Sequence, residues 1–468
     1  MPISDHTPAN PAAVSMNPRE RARTPIGYVT LIGVVAASAG FLFGYDTAVV
    51  SGAIGFLKAH FALTTGLTGW AASSILIGCT FGALAAGPLS DRFGRKPSLA
   101  FCGLLFATSS LASALPHSIG QFAAARFVGG LAIGAASILS PIYIAEVAPA
   151  KYRGRLVALY QLAIVVGILV VFFVNLQIQR QGDLTWNEAT GWRVMFASLV
   201  PPSLLFVLCV LLVPESPRWL LKVGRTEQAR TVLARVAGAS QMEGEIHAIR
   251  GALGEQAARW RELFASGHRR ALIVGGMLAI FQQLSGINAI IYYAPEIFTA
   301  AGFGRDAAFA NTVIIGVVNL VFTFLAIGLV DRVGRRPLLL VGTLLQTLAH
   351  LAVGWFMSCG VAGWPLVTSM LVFIGAFAMA MGPVTWIVNA EIFPTRLRGR
   401  AISASISALW LTNWLVTQLF PSLQATLGTA NTFWGFAALS LATFVFVLRM
   451  VPETKGRTLE QIESEWAR

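Results

Sequence analysis

Residues 91–97, Asp-Arg-Phe-Gly-Arg-Lys-Pro, return 240 residues later as Asp-Arg-Val-Gly-Arg-Arg-Pro at 331–337. Two more polar cassettes recur in the same order. Glu146, followed by Arg-Gly-Arg at 153–155, is repeated as Glu391, followed by Arg-Gly-Arg at 398–400. Pro-Glu-Ser-Pro-Arg at 214–218 is matched by Pro-Glu-Thr-Lys-Gly-Arg at 452–457. All these cassettes lie between long apolar runs, and such a duplication indicates a membrane transporter built from two related bundles.

The composition is that of a membrane protein. Hydrophobic residues make up 56% of the chain and charged residues 12%, whereas soluble domains carry about 25% charged residues. Apolar segments of about 20 residues cross a bilayer as helices, because lipid offers the backbone no hydrogen-bond partner. By this length we count roughly twelve spans, which predicts an all-α membrane protein. Their limits are 27–53, 67–89, 97–115, 120–147, 156–178, 193–213, 271–295, 309–330, 337–357, 366–391, 401–423 and 433–451.

The net charge of +13 is unevenly distributed, and its distribution predicts the orientation. Arginine and lysine cluster before the first span, after the second and fourth, and in the long loop after the sixth. The loops of the other side carry few, namely Lys58, Arg180, Arg193 and Arg305. Because positively charged loops stay inside, both termini are predicted to be cytoplasmic. The positive charge therefore reflects topology, and we expect no nucleic-acid partner.

Five regions are predicted along the chain. They are a disordered tail (1–26), a six-helix bundle (27–213), a cytoplasmic linker (214–268), a second six-helix bundle (269–451) and a short cytoplasmic tail (452–468). Stretches 226–237 and 243–264 of the linker have the mixed charge of short amphipathic helices. The first residues lack the apolar core and cleavage site of a signal peptide.

The sequence carries no signal for an enzyme, a metal site or a cofactor. It has no Walker A pattern that would indicate ATP as the driving force. Its four cysteines, Cys79, Cys102, Cys209 and Cys359, lie in or beside predicted spans without Cys-x-x-Cys spacing. We therefore expect no enzymatic activity, no metal and no cofactor.

Seven motifs in order carry a family resemblance that extends from about residue 27 to 458. They are Gly-Tyr-Asp at 44–46, the cassette at 91–95, Arg-Phe-Val-Gly-Gly at 126–130, the cassette at 214–218, Gln-Gln-Leu-Ser-Gly-Ile-Asn at 282–288, Gly-Pro-Val-Thr-Trp at 382–386 and the cassette at 452–456. With these motifs the chain resembles the sugar porter family of the major facilitator superfamily. The resemblance implies the major facilitator fold, a central sugar site between two six-helix bundles, and alternating access.

The seventh span has the residue types that a sugar requires. Sugar hydroxyls need groups that both donate and accept hydrogen bonds, and amides do both. Gln282, Gln283 and Asn288 supply them, and Asn288 follows Gly286, where a break would open the backbone. Polar amides in an apolar helix either face a cavity or bond to another helix. The resemblance adds Gln161, Asn319 and Trp386 to this set of sugar contacts.

Further candidates are aromatic or amide residues that could equally face lipid or the core. They are Phe43, Phe281, Tyr292, Tyr293, Phe377, Asn389, Trp410, Asn413 and Trp414, with Tyr292 and Tyr293 expected at an extracellular gate. Three positions depart from patterns within the family. Ile168 and Leu409 stand where xylose–proton symporters carry glutamine, and Ala378 stands where mammalian glucose facilitators carry glutamate. The pocket thus has fewer polar groups than that of the xylose symporters, which favours a hexose as the substrate.

The cassettes predict a gate at the cytoplasmic side. A rocking transporter needs contacts that hold one state and break in the other. Asp91 and Arg95 lie at the cytoplasmic ends of two spans, and Glu146 with Arg153 and Glu391 with Arg398 lie at the same depth. We expect opposite charges at this depth to pair between helices in the outward-facing state and to separate when the inside opens. The alternative is that the arginines only set the topology. The complete gating set comprises Asp91, Arg92, Arg95, Glu146, Arg153, Glu215, Asp331, Arg335, Glu391 and Arg398.

Asp46 is the carboxylate of the first span, deep in apolar sequence, and Arg126 is the central cation of the same half. A buried carboxylate in a membrane is a functional candidate. A pair between Asp46 and Arg126 that breaks on protonation would couple proton entry to conformation, and proton symporters of the family use an aspartate here. The alternative is a permanent structural pair in a passive uniporter.

Together these observations predict a proton-coupled importer of a monosaccharide, most simply a hexose such as glucose, in a bacterial inner membrane. We expect a monomer whose partners are the sugar, the proton and the bilayer. Passive uniport is the alternative within the class of transporters, and a membrane sugar sensor is the alternative outside it. Galactose, xylose, arabinose and inositol remain open as substrates.

Overall fold

The structure is a computed structural model that describes residues 26–254, 266–393 and 398–456. The predicted tails, linker residues 255–265 and the loop at 394–397 lie outside the described residues, so what is expected of them stays a prediction. The helices are α1 (Ile26–His60), α2 (Thr65–Phe93), α3 (Arg95–Ala114), α4 (Ile119–Val147), α5 (Ala150–Gln179), α6 (Leu184–Trp186), α7 (Trp192–Ala197), α8 (Val200–Leu212), α9 (Pro217–Lys222), α10 (Thr226–Val236), α11 (Ala239–Gly254), α12 (Ser266–Leu284), α13 (Ile287–Ala300), α14 (Arg305–Val333), α15 (Arg335–Ser358), α16 (Trp364–Met379), α17 (Met381–Ile392), α18 (Arg398–Leu427) and α19 (Thr429–Met450).

The predicted twelve-helix architecture is confirmed. Within the described ranges, eleven helical segments are long and apolar enough to cross a membrane. Helix α18, with 30 residues, completes the set as the eleventh span in chain order. The sixth span begins before its predicted limit, at Leu184, and is assembled from α6, a π-helical turn, α7 and α8. Pro201 and Pro202 lack backbone N–H groups, which explains why a new helix begins beside them.

Two spans of the second half are broken in their middle. Gly286, in the left-handed conformation with φ +82°, separates α12 from α13, as the sequence predicted. Ala380 separates α16 from α17 with a non-helical backbone. Discontinuous helices expose backbone groups, and membrane transporters place them where they line a cavity.

The helices pack as two groups that meet through matching spans. In the first group α1 packs on α5 and α2 on α4, and in the second α15 packs on α19 and α14 on α16. Between the groups α2 contacts α18, α5 contacts α14, and α1 contacts α13. The second span of each half therefore packs on the fifth span of the other half, as expected for related repeats.

The α2–α4 contact depends on glycine. A Cβ atom on Gly130 would collide with the backbone carbonyl of Ile75, so the two helices approach at backbone distance. Small residues allow such crossings in membranes, where lipid is as apolar as the helix surface.

The duplicated cassettes lie at one end of the molecule, which we call the cassette end. Gly94, between α2 and α3, and Gly334, between α14 and α15, both have φ +103°. Helices α9, α10 and α11 follow the first bundle, and α10 buries Ala229, Leu233 and Val236. Stretch 226–237 thus forms the predicted amphipathic helix, whereas the second linker helix ends at Gly254 within the described residues.

Candidate functional site

A cavity of about 290 Å³ lies between the two groups of helices. Its wall combines residues of α1, α4 and α5 with residues of α12, α13, α14, α16, α17 and α18. All six first-rank candidates for sugar contact line it: Gln161, Gln282, Gln283, Asn288, Asn319 and Trp386. Side chains that are far apart in the chain, from both halves, therefore face one space.

The amides of the seventh span form a connected row at the break between α12 and α13. Asn288 Nδ2 donates to Gln283 Oε1 at 2.7 Å. Gln282 Nε2 donates to the carbonyls of Met381 and Gly382, at 2.7 and 3.2 Å. Gln282 thereby connects the two broken spans by hydrogen bonds. Gln283 and Asn288 still have amide groups that can bond to a polar ligand.

The second-rank candidates divide into those in the cavity wall and those elsewhere. Phe43, Ile168, Tyr292, Phe377, Trp410 and Asn413 line the cavity. Phe43 and Trp410 meet across the two bundles with ring centroids 5.6 Å apart. Ile168, Leu409 and Ala378, the three departures from family patterns, all lie in the wall, so they make that part of it apolar.

Four candidates have other surroundings. Tyr293 lines a different cavity, and its hydroxyl donates to the Thr417 carbonyl at 3.2 Å. Phe281 packs on Phe446, and Trp414 packs against the hydrophobic core. Asn389 lines a small side cavity next to Trp386. These four residues are therefore not brought to the central cavity.

Sequence reasoning missed several wall residues. Thr47, Ser137, Tyr160 and Thr323 also line the cavity. Thr323 follows Asn319 by four residues and Thr47 follows Phe43 by four, and this spacing places both members of a pair on one helix face. The spacing was a usable signal for these two residues.

The end opposite the cassettes is closed. Tyr292 and Tyr293 are buried there, and Gln418 of α18 bonds to Ser73 and to the Gly66 carbonyl of α2. Arg180 and Asp306 form a two-bond ion pair between the bundles, at 2.6 and 2.8 Å. Trp386, in the cavity wall, is 36% exposed. The bundles are thus in contact at the opposite end while the cavity remains accessible.

Asp46 and Arg126 form a fully buried ion pair beside the cavity. Arg126 Nη1 donates to Asp46 Oδ1, and Nη2 donates to the Asp46 backbone carbonyl at 2.8 Å. Both side chains are 1% exposed. Asp46 Oδ2 has no hydrogen-bond partner within the described part of the chain. Since Thr47 lines the cavity, the pair and the cavity lie on two faces of the same turn of α1.

The first cassette forms an ion-pair cluster within one bundle. Arg95 contacts both carboxylate oxygens of Glu146 at 3.0 and 3.1 Å, and it donates to Asp91 at 2.9 Å. Lys222 pairs with Asp91 at 3.0 Å. Glu215 accepts from the backbone N–H of Arg95 at 3.0 Å, at the positive end of α3.

The second cassette repeats this cluster. Arg335 contacts Glu391 at 2.8 and 3.2 Å and pairs with Asp331 at 3.2 Å. Glu453, which is outside the predicted gating set, accepts from the backbone N–H of Arg335 at 3.0 Å. The repeated sequence thus produces the same cluster twice.

In both cassettes the ion pairs join members of the predicted gating set. Glu146 pairs with Arg95, whereas Arg153 is exposed and forms no ion pair in the described residues. Glu391 pairs with Arg335, and the side chain of Arg398 lies outside the described residues. Both clusters are formed in this structure, and their separation in another state stays a prediction. Arg92 lies over the neighbouring ring of Phe93.

The two capping carboxylates differ electrostatically. Burial raises the pKa of Glu215 above its ordinary value, although backbone N–H groups act against this. Burial also acts to raise the pKa of Glu453, but four backbone N–H donors outweigh it and the pKa lies below its ordinary value. The more exposed cap is therefore the better stabilised anion.

Two helical bundles around a central cavity bordered by amides and closed at one end are the architecture of a membrane transporter. The chain matches the family described as "Sugar (and other) transporter" over residues 32–466 and belongs to this family. The arabinose-proton symporter of Bacillus subtilis is 44% identical over 443 residues, covering 94% of this chain and 96% of that protein. The D-xylose-proton symporter of Escherichia coli (strain K12) is 38% identical, with the same two coverages.

A solved structure gives the same fold. The xylose transporter XylE from E. coli, in an inward-open conformation, superposes with a TM-score of 0.85 at 38% identity. The match covers 94% of this chain and 100% of that chain. The chain is therefore an integral membrane sugar transporter and not an enzyme.

Proposed function

We propose that this protein imports a monosaccharide together with a proton, with a hexose such as glucose as the substrate. The observation that carries the proposal is the buried Asp46–Arg126 pair on the turn of α1 that also forms the cavity wall. The relatives named as arabinose-proton and xylose-proton symporters support coupling to a proton.

Sugar binding rests on the row of amides and the aromatic residues around it. Gln283, Asn288 and Gln161 border the cavity with groups that donate and accept, and Trp386 offers a ring face to the sugar's C–H face. None of the described residues in the cavity wall is charged, which fits a neutral ligand. The finer choice of a hexose rests on the apolar wall at Ile168, Leu409 and Ala378.

Coupling follows from the geometry of α1. Protonation of Asp46 neutralises the partner of Arg126 and weakens a pair that is shielded from water, where Coulomb interactions are strong. Helix α1 packs on α5 and α13, so a shift of its turn is transmitted to both bundles. Sugar binding at Phe43 and Thr47 acts on the same turn. Proton and sugar thereby bias one conformational equilibrium.

We further propose that the cassette end faces the cytoplasm, as the positive-inside rule predicts. The structure then represents the inward-facing state, in agreement with its similarity to the inward-open XylE structure. The Arg95 and Arg335 clusters hold together the helix ends of each bundle while the bundles rock. A monomer suffices for this mechanism, because each chain has both bundles and the complete cavity.

Passive uniport uses the same sugar site, with Asp46–Arg126 as a permanent structural pair. Uptake of radiolabelled D-glucose into proteoliposomes, with and without an inward proton gradient, separates the two functions. Accumulation above equilibrium that a protonophore abolishes supports symport. Equilibration at a rate independent of the gradient would overturn proton coupling but leave sugar transport intact.

A further inference from the structure

A second cavity, which we call the outer cavity, lies at the closed end of the molecule, opposite the cassettes. Its volume of about 270 Å³ is close to the 290 Å³ of the central cavity, and both approach the lower end of the range of small-molecule sites, roughly 300–1,000 Å³. Helices α1 and α2 of the first bundle and α13, α18 and α19 of the second bundle line it. The outer cavity is therefore, like the central one, a space between the two bundles.

The two cavities are separated at α13. Tyr292 lines the central cavity, whereas Tyr293 lines the outer cavity and donates to the Thr417 carbonyl of α18 at 3.2 Å. The next residue of α18, Gln418, bonds to α2. Lys58, which borders the outer cavity, is exposed. The outer cavity thus lies on the outer side of the contacts that close the central cavity.

The outer cavity is lined by polar side chains that make no hydrogen bond or ion pair within the described ranges. They are Lys58, Thr65, Glu296, Gln424 and Thr429. The side-chain polar atoms of Glu296, Gln424 and Thr429 are accessible, in contrast to Asp46 Oδ2, which is buried without a partner. A ligand that enters the outer cavity therefore meets groups that can donate and groups that can accept hydrogen bonds.

The two charged groups of this set lie close to one helix face of α1. Glu296 of α13 is half-buried, and a Cβ on Gly55 of α1 would collide with its Oε1, so the glycine gives the carboxylate its place on α1. Lys58 follows Gly55 by three residues, which places it on the same face of α1. Because Lys58 and Glu296 border one cavity without forming an ion pair in the described residues, both remain available. The ammonium group donates and the carboxylate accepts, so neighbouring hydroxyl groups of one sugar can bond to both.

We infer that the outer cavity is a second binding site for the transported monosaccharide, with lower affinity than the central site. This inference rests on the proposed function, which takes a monosaccharide as the substrate and the cassette end as cytoplasmic. Glu296 and Lys58 bind two neighbouring hydroxyls, and Gln424 offers an amide to a third. The affinity is lower because water competes for the exposed Lys58 and for the partly exposed Glu296 and Gln424.

This second site depends on the conformational state. Its walls belong to both bundles, so separation of α2 from α18 moves Thr65 away from Gln424 and dismantles the site. A ligand that binds one of two conformations more tightly shifts the population towards that conformation. Sugar in the outer cavity therefore holds the outer end closed and delays the return to the outward-facing state. External sugar at high concentration consequently inhibits its own uptake.

The test measures initial uptake of radiolabelled D-glucose into right-side-out membrane vesicles that contain the full-length protein. External sugar is varied from well below to far above the half-saturating concentration. The variants are Glu296→Gln in the second bundle and Lys58→Gln in the first, which give two independent tests of one site. Glu188→Gln is the matched control, because Glu188 is a carboxylate at the start of the sixth span that lines neither cavity.

We expect the wild-type rate to rise, pass through a maximum and fall as external sugar increases. Both variants should shift the falling part to about tenfold higher sugar, the effect of one lost charge-assisted hydrogen bond. The half-saturating concentration of the rising part should stay the same, because the central cavity is unchanged. Glu188→Gln should reproduce the wild-type curve. Efflux from vesicles loaded with sugar should show no falling part, because the outer cavity is then empty.

A wild-type rate that rises to a plateau and never falls would overturn the inference and leave the outer cavity to water. A falling part that is unchanged in both variants would also overturn it, as would an equal shift of the rising and falling parts, which would make the two residues act on the central site. In all three cases saturable sugar uptake persists, so the proposed function stands. Absence of any sugar uptake by the wild-type protein would instead contradict the proposed function.

Discussion

Replacing Asp46 with asparagine is the most direct test of proton coupling. Asparagine has almost the same shape but cannot bind or release a proton near neutral pH. If Asp46 carries the proton, an inward gradient of one pH unit without membrane potential supports about tenfold sugar accumulation in the wild-type protein, since one unit is about 1.4 kcal/mol. In Asp46→Asn the accumulation ratio falls to about one, while exchange of labelled for unlabelled sugar continues.

The structure explains why this variant is expected to remain folded. Truncating one partner of a buried pair costs about 3–5 kcal/mol, because the other charge is left unpaired. In Asp46→Asn the side-chain amide oxygen can still accept from Arg126 Nη1, and the 2.8 Å bond from Nη2 to the backbone carbonyl remains. Arg126 also keeps its place 5.2 Å from the Phe196 ring. The loss is then that of one charge-assisted hydrogen bond, about 1.5–3 kcal/mol.

The assay uses proteoliposomes with internal buffer held constant, and thermal unfolding in detergent checks folding. Asp183→Asn is the matched control, because Asp183 is an exposed helix cap and asparagine caps a helix equally well. It should leave accumulation at the wild-type level. Uphill accumulation by Asp46→Asn would refute the reasoning and make the Asp46–Arg126 pair structural. Loss of both exchange and thermal stability would show instead that our estimate of the folding cost is too small.

Three further results are expected. Gln283→Ala should raise the dissociation constant of the transported sugar about 2- to 12-fold, as the loss of one hydrogen bond worth about 0.5–1.5 kcal/mol, measured by competition; no change would remove Gln283 from the sugar site. Glu453→Gln should lower the melting temperature at pH 7 more than Glu215→Gln. The lowered pKa of Glu453 shows that the fold stabilises its anion, and this contribution to stability is lost as pH falls through that pKa. The raised pKa of Glu215 shows instead that burial disfavours its anion. Equal melting temperatures of the two variants would contradict this electrostatic difference. Gly130→Val should destabilise the folded protein by about 1–3 kcal/mol, because the added side chain overpacks the α2–α4 crossing. The control Gly154→Val should destabilise it much less, because no atom lies within 4 Å of a Cβ at that position. Equal melting temperatures of the two variants would show that the two helices can separate at little cost.

Much of the fold was predictable from local sequence. The twelve spans follow from the length of the apolar runs, and the duplication of the bundles follows from the repeated cassettes. The break at Gly286 was predictable as well, since glycine in an otherwise apolar span allows the left-handed conformation observed there. The second break, at Ala380, was not, because alanine favours helix and the departure is imposed by packing around α16 and α17.

The sequence predicted the amide groups of the central cavity but only some of the residues that line it. Amides in an apolar span identified Gln282, Gln283 and Asn288 before any contact was known. Tyr292 and Tyr293 are both buried at the closed end, but adjacent residues of a helix point about 100° apart, so only Tyr292 lines the central cavity. Tyr293 accordingly faces Thr417 and another cavity.

The sequence by itself determined that this chain crosses a membrane as two related helical bundles with charged turns at one end. It could do so because span length, charge bias and repetition are local properties that need no neighbours. Only the tertiary structure decided that Glu146 pairs with Arg95, and that Tyr292 lines the central cavity while Tyr293 lines another. Such partners are set by which helix faces meet across the bundle, and residues close in the chain can point to opposite sides of the same helix.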